Sequence, residues 1–256
     1  MKTDYAGVIP CLDTRDGKLV KGVHFVDIKE LGDPADAARA YSDAGADELV
    51  VLDITASAEG RKTFMDVVER TAATSGVPLT VGGGIGSIDD MRRMFDAGAA
   101  KVSVNTAAVR DPELVARAAE AFGSDKLTVA VDTRTSEAMP SGFEVMVKGG
   151  RQGAGIDAVE WAARVAQLGA GTLLPTSMDT DGVQTGYDIP MTRAVADAVD
   201  VPVIASGGAG TLDHLVEAIR DAHADAVLVA SIAHYGTFTI ARMKDHLAEA
   251  GIPVRR

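Results

Sequence analysis

Two aspartates stand at the ends of similar apolar segments, Asp13 in "VIPCLD" and Asp132 in "LTVAVD". The residues that follow are also alike, "TRDG" in one case and "TRTS" in the other. A carboxylate is costly to bury unless it is paired or functional, and two acids that face one ligand can divide the work of general acid and general base. The pair therefore predicts acid–base catalysis. The alternative for each aspartate is a structural role, as a helix cap or in an ion pair with a lysine.

Two glycine-rich turns, "VGGGIG" at 81–86 and "ASGGAG" at 205–210, form the second set of candidate residues. Glycine lets the backbone approach a ligand closely and point its N–H groups at an anion. A single turn of this kind is weak evidence, because tight packing also requires glycine. Two of them predict a ligand with a phosphate at each end. The predicted phosphate-binding residues are Gly84, Asn105 and Thr106 for one turn, and Gly208, Ala230 and Ser231 for the other.

The elements that must position these residues alternate regularly along the chain. Eight short apolar segments are separated by amphipathic patterns of ten to fifteen residues, several of which begin with a capping Asp or Ser and end at a glycine. This alternation predicts βα units with a parallel sheet. Eight units in 256 residues match a (β/α)8 barrel, an α/β fold. A doubly wound open sheet is the alternative, and we expect one domain over residues 1–256.

The chain also repeats itself, because residues 81–108 resemble residues 205–233. An aspartate, a glycine turn and a small polar residue recur in the same order in each half. This order predicts two similar half-barrels that face each other across the barrel axis. The carboxyl ends of barrel strands form the active face, so both aspartates and both turns are expected there.

Composition excludes several classes of partner and site. The net charge of −12 disfavours nucleic acid and anionic membranes as partners, and no apolar run approaches the ~18 residues that cross a bilayer. The single cysteine, Cys11, excludes an internal disulfide or a cysteine zinc cluster, and we interpret it as a core residue rather than a nucleophile. We expect a cytoplasmic protein without metal or cofactor.

The segment "DTRDGKLVKGVHF", which begins at Asp13, is polar and punctuated by glycine. Such a segment is typical of a mobile lid over an active site. Lys21 could then fold over a bound substrate, and an ordinary solvated lysine is the alternative.

With these residues in place, the sequence resembles the cyclase subunit of imidazole glycerol phosphate synthase, an enzyme of histidine biosynthesis. The resemblance covers essentially the whole chain. The motifs that carry it are "IPCLD", "GKLVKGVHF", "GADELVVLDITAS", "PLTVGGGI", "KVSVNTAA", "TSMDTDGVQTGYD" and "VPVIASGGAG".

The resemblance implies a substrate with two phosphates, the phosphoribulosyl-formimino derivative of aminoimidazole carboxamide ribonucleotide. Ammonia attacks its ketose carbon, and cleavage with ring closure gives imidazole glycerol phosphate and aminoimidazole carboxamide ribonucleotide. Asp13 and Asp132 would be the acid–base pair and Lys21 would belong to a closing loop. The two phosphates would be held by the residues named above, and the same face would be lined by Thr176, Asp181, Gly182 and Ser206.

The resemblance also implies a glutaminase subunit on the opposite face of the barrel, which would send ammonia through the barrel interior. Family members typically gate this face with a ring of four charged residues. The aligned positions here are Gly7, Glu48, Lys101 and Thr172, so one cation and one anion are missing, and Ala100 replaces a usual aspartate. We therefore expect cyclisation with free ammonium to survive and glutamine-dependent turnover to be weakened.

Two other readings stay open at this point. One is the sister isomerase of the same pathway, or a diverged relative that acts on another phosphosugar. The other is a non-catalytic subunit that binds phosphosugars and activates a glutaminase. The motifs "LDITAS", "VNTAA" and "TSMDTDG…GYD" resemble the cyclase rather than the isomerase.

Overall fold

The computed structural model describes residues 4–23, 26–54 and 58–256, and the side chains among them except those of residues 21–23, 26–28 and 58–63. Its strands in chain order are β1 (Gly7–Arg15), β2 (Lys18–Val23), β3 (Val26–Gly32), β4 (Leu49–Asp53), β5 (Leu79–Gly82), β6 (Lys101–Val104), β7 (Leu127–Thr135), β8 (Phe143–Val147), β9 (Gln152–Asp157), β10 (Thr172–Ser177), β11 (Ile204–Ala205) and β12 (Ala226–Val229).

The helices lie between these strands, as the alternating pattern predicts. They are α1 (Pro34–Asp43), α2 (Ala58–Thr74), α3 (Ile88–Asp96), α4 (Thr106–Arg110), α5 (Glu113–Phe122), α6 (Ala158–Gln167), α7 (Ile189–Asp197), α8 (Leu212–Arg220), α9 (Ser231–His234) and α10 (Ile240–Glu249), with a short 3-10 helix at Ser124–Lys126. In the part of the chain that the structure describes, none of these helices combines the length and the apolar character that a membrane span requires.

Eight of the strands close into a parallel barrel. Hydrogen-bonded pairing runs from β11 through β12, β1, β4, β5, β6 and β7 to β10. Two isolated parallel bridges, Leu173 with Val203 and Thr176 with Ser206, join β10 back to β11. The predicted (β/α)8 barrel is confirmed, and the alternative of an open sheet is wrong.

Pro175 explains why β10 and β11 pair so sparsely. Leu173 donates its N–H to the carbonyl of Pro202. Because the direction of backbone hydrogen bonds alternates along a strand, every second residue of β10 faces β11 in this way. Pro175, two residues after Leu173, is one of them and has no N–H to donate. The opposite edge of β10 is unaffected, because its register with β7 runs without a shift from Thr172 to Ser177.

Local capping fixes where the helices begin. Asp33, Ser87 and Asp157 cap α1, α3 and α6, and each accepts a hydrogen bond from a backbone N–H in the first turn of its helix. The same helices are followed by glycines with positive φ, for example 100° at Gly98. The predicted Asp and Ser starts and glycine stops are therefore confirmed for these helices.

The segment after Asp13 has regular secondary structure. It forms β2, which pairs antiparallel with β1 through Thr14–Leu19 and Arg15–Lys18. Asp16 and Gly17 have φ of 52° and 80°, and positive φ at both central residues is the geometry of a type I′ hairpin turn. The Asp-Gly dipeptide was the signal for this hairpin.

The second half contains a matching excursion, because β8 and β9 follow β7 as β2 and β3 follow β1. The barrel registers also agree between the halves. Asp13 pairs with Leu52 in β4, and Asp132 pairs with Thr176 in β10. The predicted half-barrel repeat is therefore visible in strand pairing as well as in sequence.

The buried side chains form two clusters. The larger one fills the layer between the strands and the helices and includes Trp161, which is 2% exposed. The smaller one lies inside the barrel and consists of Ile9, Cys11, Val50, Leu174, Ile204, Ala226 and Leu228. Cys11 is thus a core residue, as expected.

Candidate active site

A cavity of about 880 Å³ opens at the carboxyl ends of the barrel strands. This is the edge at which active sites of such barrels lie. Twelve of the predicted site residues line it, from both halves of the chain. They are Asp13, Gly84, Asn105, Thr106, Asp132, Thr176, Asp181, Gly182, Ser206, Gly208, Ala230 and Ser231.

Lys21 is the predicted lid residue of this face. Its backbone belongs to β2 and pairs with Lys29 of β3. Its side chain lies outside the described residues, so its assignment to a lid stays a prediction.

Asp13 sits near the carboxyl end of β1 and is 6% exposed. The Cys11 thiol lies two residues earlier, with its Sγ 3.7 Å from Asp13 Oδ1. A thiol is a weak donor, so this contact is a weak interaction with the carboxylate. Both side chains line the cavity, which leaves the Asp13 carboxylate in reach of a ligand.

Asp132 occupies the equivalent place in β7 and has a different environment. Burial, followed by the negative charge of Asp181, raises the pKa of its carboxyl to about 7, although a hydrogen bond from the Asn105 side chain opposes both effects. An acid with a pKa near the working pH can both give and take a proton. Asp132 is therefore suited to donate a proton at neutral pH, which an ordinary aspartate cannot do.

Asp181 belongs to a loop, residues 178–188, that is fastened to the second glycine turn. The Thr180 hydroxyl donates to the carbonyl of Gly207 over 3.1 Å, and Gly186 N–H donates to the carbonyl of Gly208 over 2.8 Å. The Tyr187 hydroxyl donates to the carbonyl of Leu228 in β12, also over 2.8 Å. These bonds hold the acidic residue at the cavity. The sequence placed Asp181 on this face but did not predict its effect on Asp132.

The two glycine turns have matching backbones. Gly83 and Gly84 have φ of 97° and 66°, and Gly207 and Gly208 have φ of 87° and 105°. A Cβ on Gly83 would lie 2.3 Å from the carbonyl oxygen of Asp53, and one on Gly208 would lie 2.0 Å from that of Gly186. Close packing therefore requires glycine at these two positions, as the alternative reading anticipated.

Gly84 is different, because a Cβ there would meet nothing within 4 Å. It lines the cavity, and its positive φ has no packing contact to explain it. Gly84 therefore fits a place where the backbone meets a ligand closely.

The short helices that follow complete the correspondence. Asn105 precedes α4 with φ −131° and ψ −88°, and Ala230 precedes α9 with φ −132° and ψ −81°. Neither residue caps its helix with a side-chain hydrogen bond. Thr106 and Ser231 then place a hydroxyl at the first position of each helix. The cavity thus has two similar polar ends, each with a glycine turn and a hydroxyl.

Sequence reasoning missed a group of cations at one of these ends. Arg110, Lys148 and Arg151 line the cavity, and Lys148 N–H donates to Thr106 Oγ1 over 2.9 Å. The segment "KGGR" at 148–151 contained the signal, a pair of glycines between two cations.

At the opposite end of the barrel, Lys101 and Glu48 form an ion pair with 2.6 Å between Nζ and Oε2. The Thr80 hydroxyl donates to the other carboxylate oxygen of Glu48. Thr172 is buried at the start of β10, and a Cβ on Gly7 would lie 3.1 Å from the Cβ of Ala226. The two charged positions of the predicted gate therefore meet, and the two uncharged positions lie at the same end of the barrel.

A comparison with known families adds one finding. A family model described as "Histidine biosynthesis protein" matches residues 7–239. The matched range runs from the first residue of β1 past the end of α9, so it contains the whole barrel sheet and every cavity residue named above.

Proposed function

Because the chain belongs to the histidine biosynthesis protein family, we propose that it is the cyclase subunit of imidazole glycerol phosphate synthase. The family covers both the cyclase and the isomerase of the pathway, so the match makes the chain a histidine biosynthesis enzyme and leaves the reaction type to other observations.

The observation that carries the proposal is the placement of Asp13 and Asp132. They hold equivalent positions on β1 and β7, and they line one cavity whose two ends each have a glycine turn and a hydroxyl. This arrangement suits a substrate with two phosphates and reacting atoms between them. The phosphoribulosyl-formimino derivative of aminoimidazole carboxamide ribonucleotide is such a substrate.

In the proposed reaction, ammonia attacks the ketose carbon of the substrate. Asp132, whose pKa is about 7, donates a proton to the carbonyl oxygen, and Asp13 accepts a proton from the attacking nitrogen. The protonated ketose oxygen leaves as water, and cleavage and ring closure then give imidazole glycerol phosphate and aminoimidazole carboxamide ribonucleotide. Gly84, Asn105 and Thr106 bind one phosphate, and Gly208, Ala230 and Ser231 bind the other.

Three sequence motifs favour the cyclase over the isomerase. The motifs "LDITAS", "VNTAA" and "TSMDTDG…GYD" resemble cyclases. The last of these motifs carries Asp181, whose charge helps to keep Asp132 protonated near neutral pH.

The test is to incubate the protein with this two-phosphate substrate and ammonium chloride and to follow both products by mass spectrometry. The cyclase releases the aminoimidazole nucleotide together with imidazole glycerol phosphate. An isomerase gives a product of the same mass as its own substrate and releases no nucleotide. A non-catalytic glutaminase activator gives neither product, and either of these last results would overturn the proposal.

A further inference from the structure

Three cations gather at one end of the cavity, although the chain carries a net charge of −12. Arg110 ends α4, and Lys148 and Arg151 flank the glycines of the β8–β9 turn. All three side chains are exposed, and none has a carboxylate within ion-pair distance in the part of the chain that the structure describes. A local excess of positive charge on an acidic protein is typical of a site that attracts an anion.

The β8–β9 turn has an uncommon backbone that holds this charge at the cavity. Lys148, Gly149 and Gly150 have φ of 57°, 65° and 76°, which is three left-handed residues in succession. Such a conformation disfavours a lysine, because its Cβ crowds the backbone. A Cβ on Gly150 would lie 2.2 Å from Met178 Sδ, so the turn packs closely on the loop after β10.

The same turn also orients a hydroxyl of the first glycine-turn site. Lys148 N–H donates to Thr106 Oγ1 over 2.9 Å. A hydroxyl whose oxygen accepts this bond still has its own proton to donate. Thr106 begins α4 and Arg110 ends it, so the hydroxyl and the three cations surround one end of the cavity.

We propose that Arg110, Lys148 and Arg151 form a cationic clamp that binds one phosphate of the ligand, a phosphate monoester dianion, together with Thr106 and the Gly84 turn. Charged donors on a dianion make shorter and stronger hydrogen bonds than neutral donors. The identity of the ligand rests on the proposed function, and the clamp itself rests on the geometry above.

Among the described residues, the equivalent end of the second half differs from the clamp at one position. Tyr235 stands where Arg110 stands in the first half, counted from Asn105 and Ala230, and it is 54% exposed. The clamp therefore predicts that the two ends of the cavity differ in how strongly charge contributes to anion binding.

The experiment is a titration of the protein with inorganic phosphate at low ionic strength, followed by the amide NMR signals of Gly84 and Gly208. These two signals report the two ends of the cavity separately. In the variant Arg110→Gln/Arg151→Gln we expect phosphate to bind about tenfold more weakly at Gly84, with less than a twofold change at Gly208. Lys148→Gly removes the third charge while allowing the left-handed backbone, and it should weaken binding at Gly84 alone.

Arg164→Gln is the matched control, because Arg164 is an exposed arginine on α6 away from the cavity. It should leave both signals unchanged, and the unperturbed remainder of each spectrum verifies folding. Equal weakening at both glycines, no weakening in either clamp variant, or no titration of Gly84 in the unmodified protein would overturn the clamp. Because the titration needs no turnover, failure of the cyclase assay with a normal Gly84 response would refute the proposed function and leave the clamp standing.

Discussion

In the first half of the barrel, Asn105 follows β6 and hydrogen-bonds to the acid on the neighbouring strand, Asp132. In the second half, Ala230 follows β12 and has no polar side chain to offer the equivalent acid, Asp13. The two backbones at Asn105 and Ala230 agree within 7° in both φ and ψ. The repeated fold therefore places two carboxylates alike, and the side chains at Asn105 and Ala230 give them different surroundings.

The same contrast recurs at the opposite end of the barrel. The first half has Glu48 and Lys101, which form an ion pair, whereas the equivalent positions in the second half are Thr172 and Ala226. The two halves therefore share the same backbone arrangement, and single side chains determine which half carries charge at this end of the barrel. Each prediction below changes such a residue in one half only.

The largest effect is expected for the acids themselves. Asp13→Asn and Asp132→Asn should each lower the ammonium-dependent cyclisation rate by about 10³-fold or more, because each removes one of the two proton-transfer groups. Initial rates with saturating two-phosphate substrate measure this effect. Asp200→Asn, a change of an exposed aspartate, is the control and should keep full activity. Retention of activity in either cavity variant would assign the chemistry to one half alone.

The second prediction concerns stability and the ion pair of the first half. Lys101→Ala leaves the Glu48 carboxylate, 10% exposed, without its cation. We expect a loss of about 2 kcal/mol in the free energy of unfolding, less than for a fully buried pair because Lys101 is partly exposed. Urea unfolding measures it.

The double variant Glu48→Thr/Lys101→Ala gives the first half the residues of the second. It should recover most of that loss, because no unpaired charge remains. If the double variant is as unstable as Lys101→Ala alone, the charge is not the cause of the instability.

The third prediction follows from the two uncharged positions, Gly7 and Thr172. Ammonium-dependent cyclisation should proceed normally, whereas glutamine-dependent turnover with a glutaminase subunit of the family should be about tenfold lower relative to it. Refilling the ring with Gly7→Arg and Thr172→Glu should raise the glutamine-dependent rate. Ala226→Gly should accompany Gly7→Arg, because a Cβ on Gly7 would lie 3.1 Å from the Cβ of Ala226. Full glutamine-driven turnover in the unmodified protein would contradict the prediction.

Much of the fold could be predicted from the sequence, because it depends on local signals. The apolar segments, the Asp and Ser caps and the glycine stops all act within a few residues. The strand β2 is not among the predicted strands, although the Asp-Gly turn and the buried Leu19 and Val20 fit a hairpin.

The candidate site was predictable where its residues end strands and unpredictable where it depends on contacts between loops. Asp13 and Asp132 follow from the repeat. The raised pKa of Asp132 does not, because it depends on burial and on the charge of Asp181, which belongs to a loop that is far away in sequence. The left-handed Lys148 likewise depends on how its turn packs against Met178, which no local pattern specifies.

The smallest expected effect is a pH dependence of stability that belongs to Asp132. Its pKa is about 7 in the folded protein and about 3.8 for an ordinary aspartate exposed to water, so the folded state binds the proton more tightly than the unfolded chain. The resulting stabilisation is complete below pH 4 and is lost as the pH rises to 7.

Asp132→Asn removes this loss, so the variant should gain stability relative to the unmodified protein between pH 5 and pH 8. We expect about 1–2 kcal/mol, since water in the cavity reaches the partly exposed carboxyl and reduces the full effect of the shift.

Urea midpoints at pH 5 and pH 8 measure this gain, and Asn105→Ala sharpens the comparison of the halves. That substitution gives the first half the alanine of the second and removes the hydrogen bond that lowers the pKa of Asp132. The pKa should then rise further, and stability should fall more steeply between pH 5 and pH 8 than in the unmodified protein. The double variant Asn105→Ala/Asp132→Asn should lose this added steepness, because no titrating carboxyl remains at that position. If Asn105→Ala instead changes stability equally at both pH values, Asn105 contributes through packing. Its hydrogen bond then does not lower the pKa of Asp132.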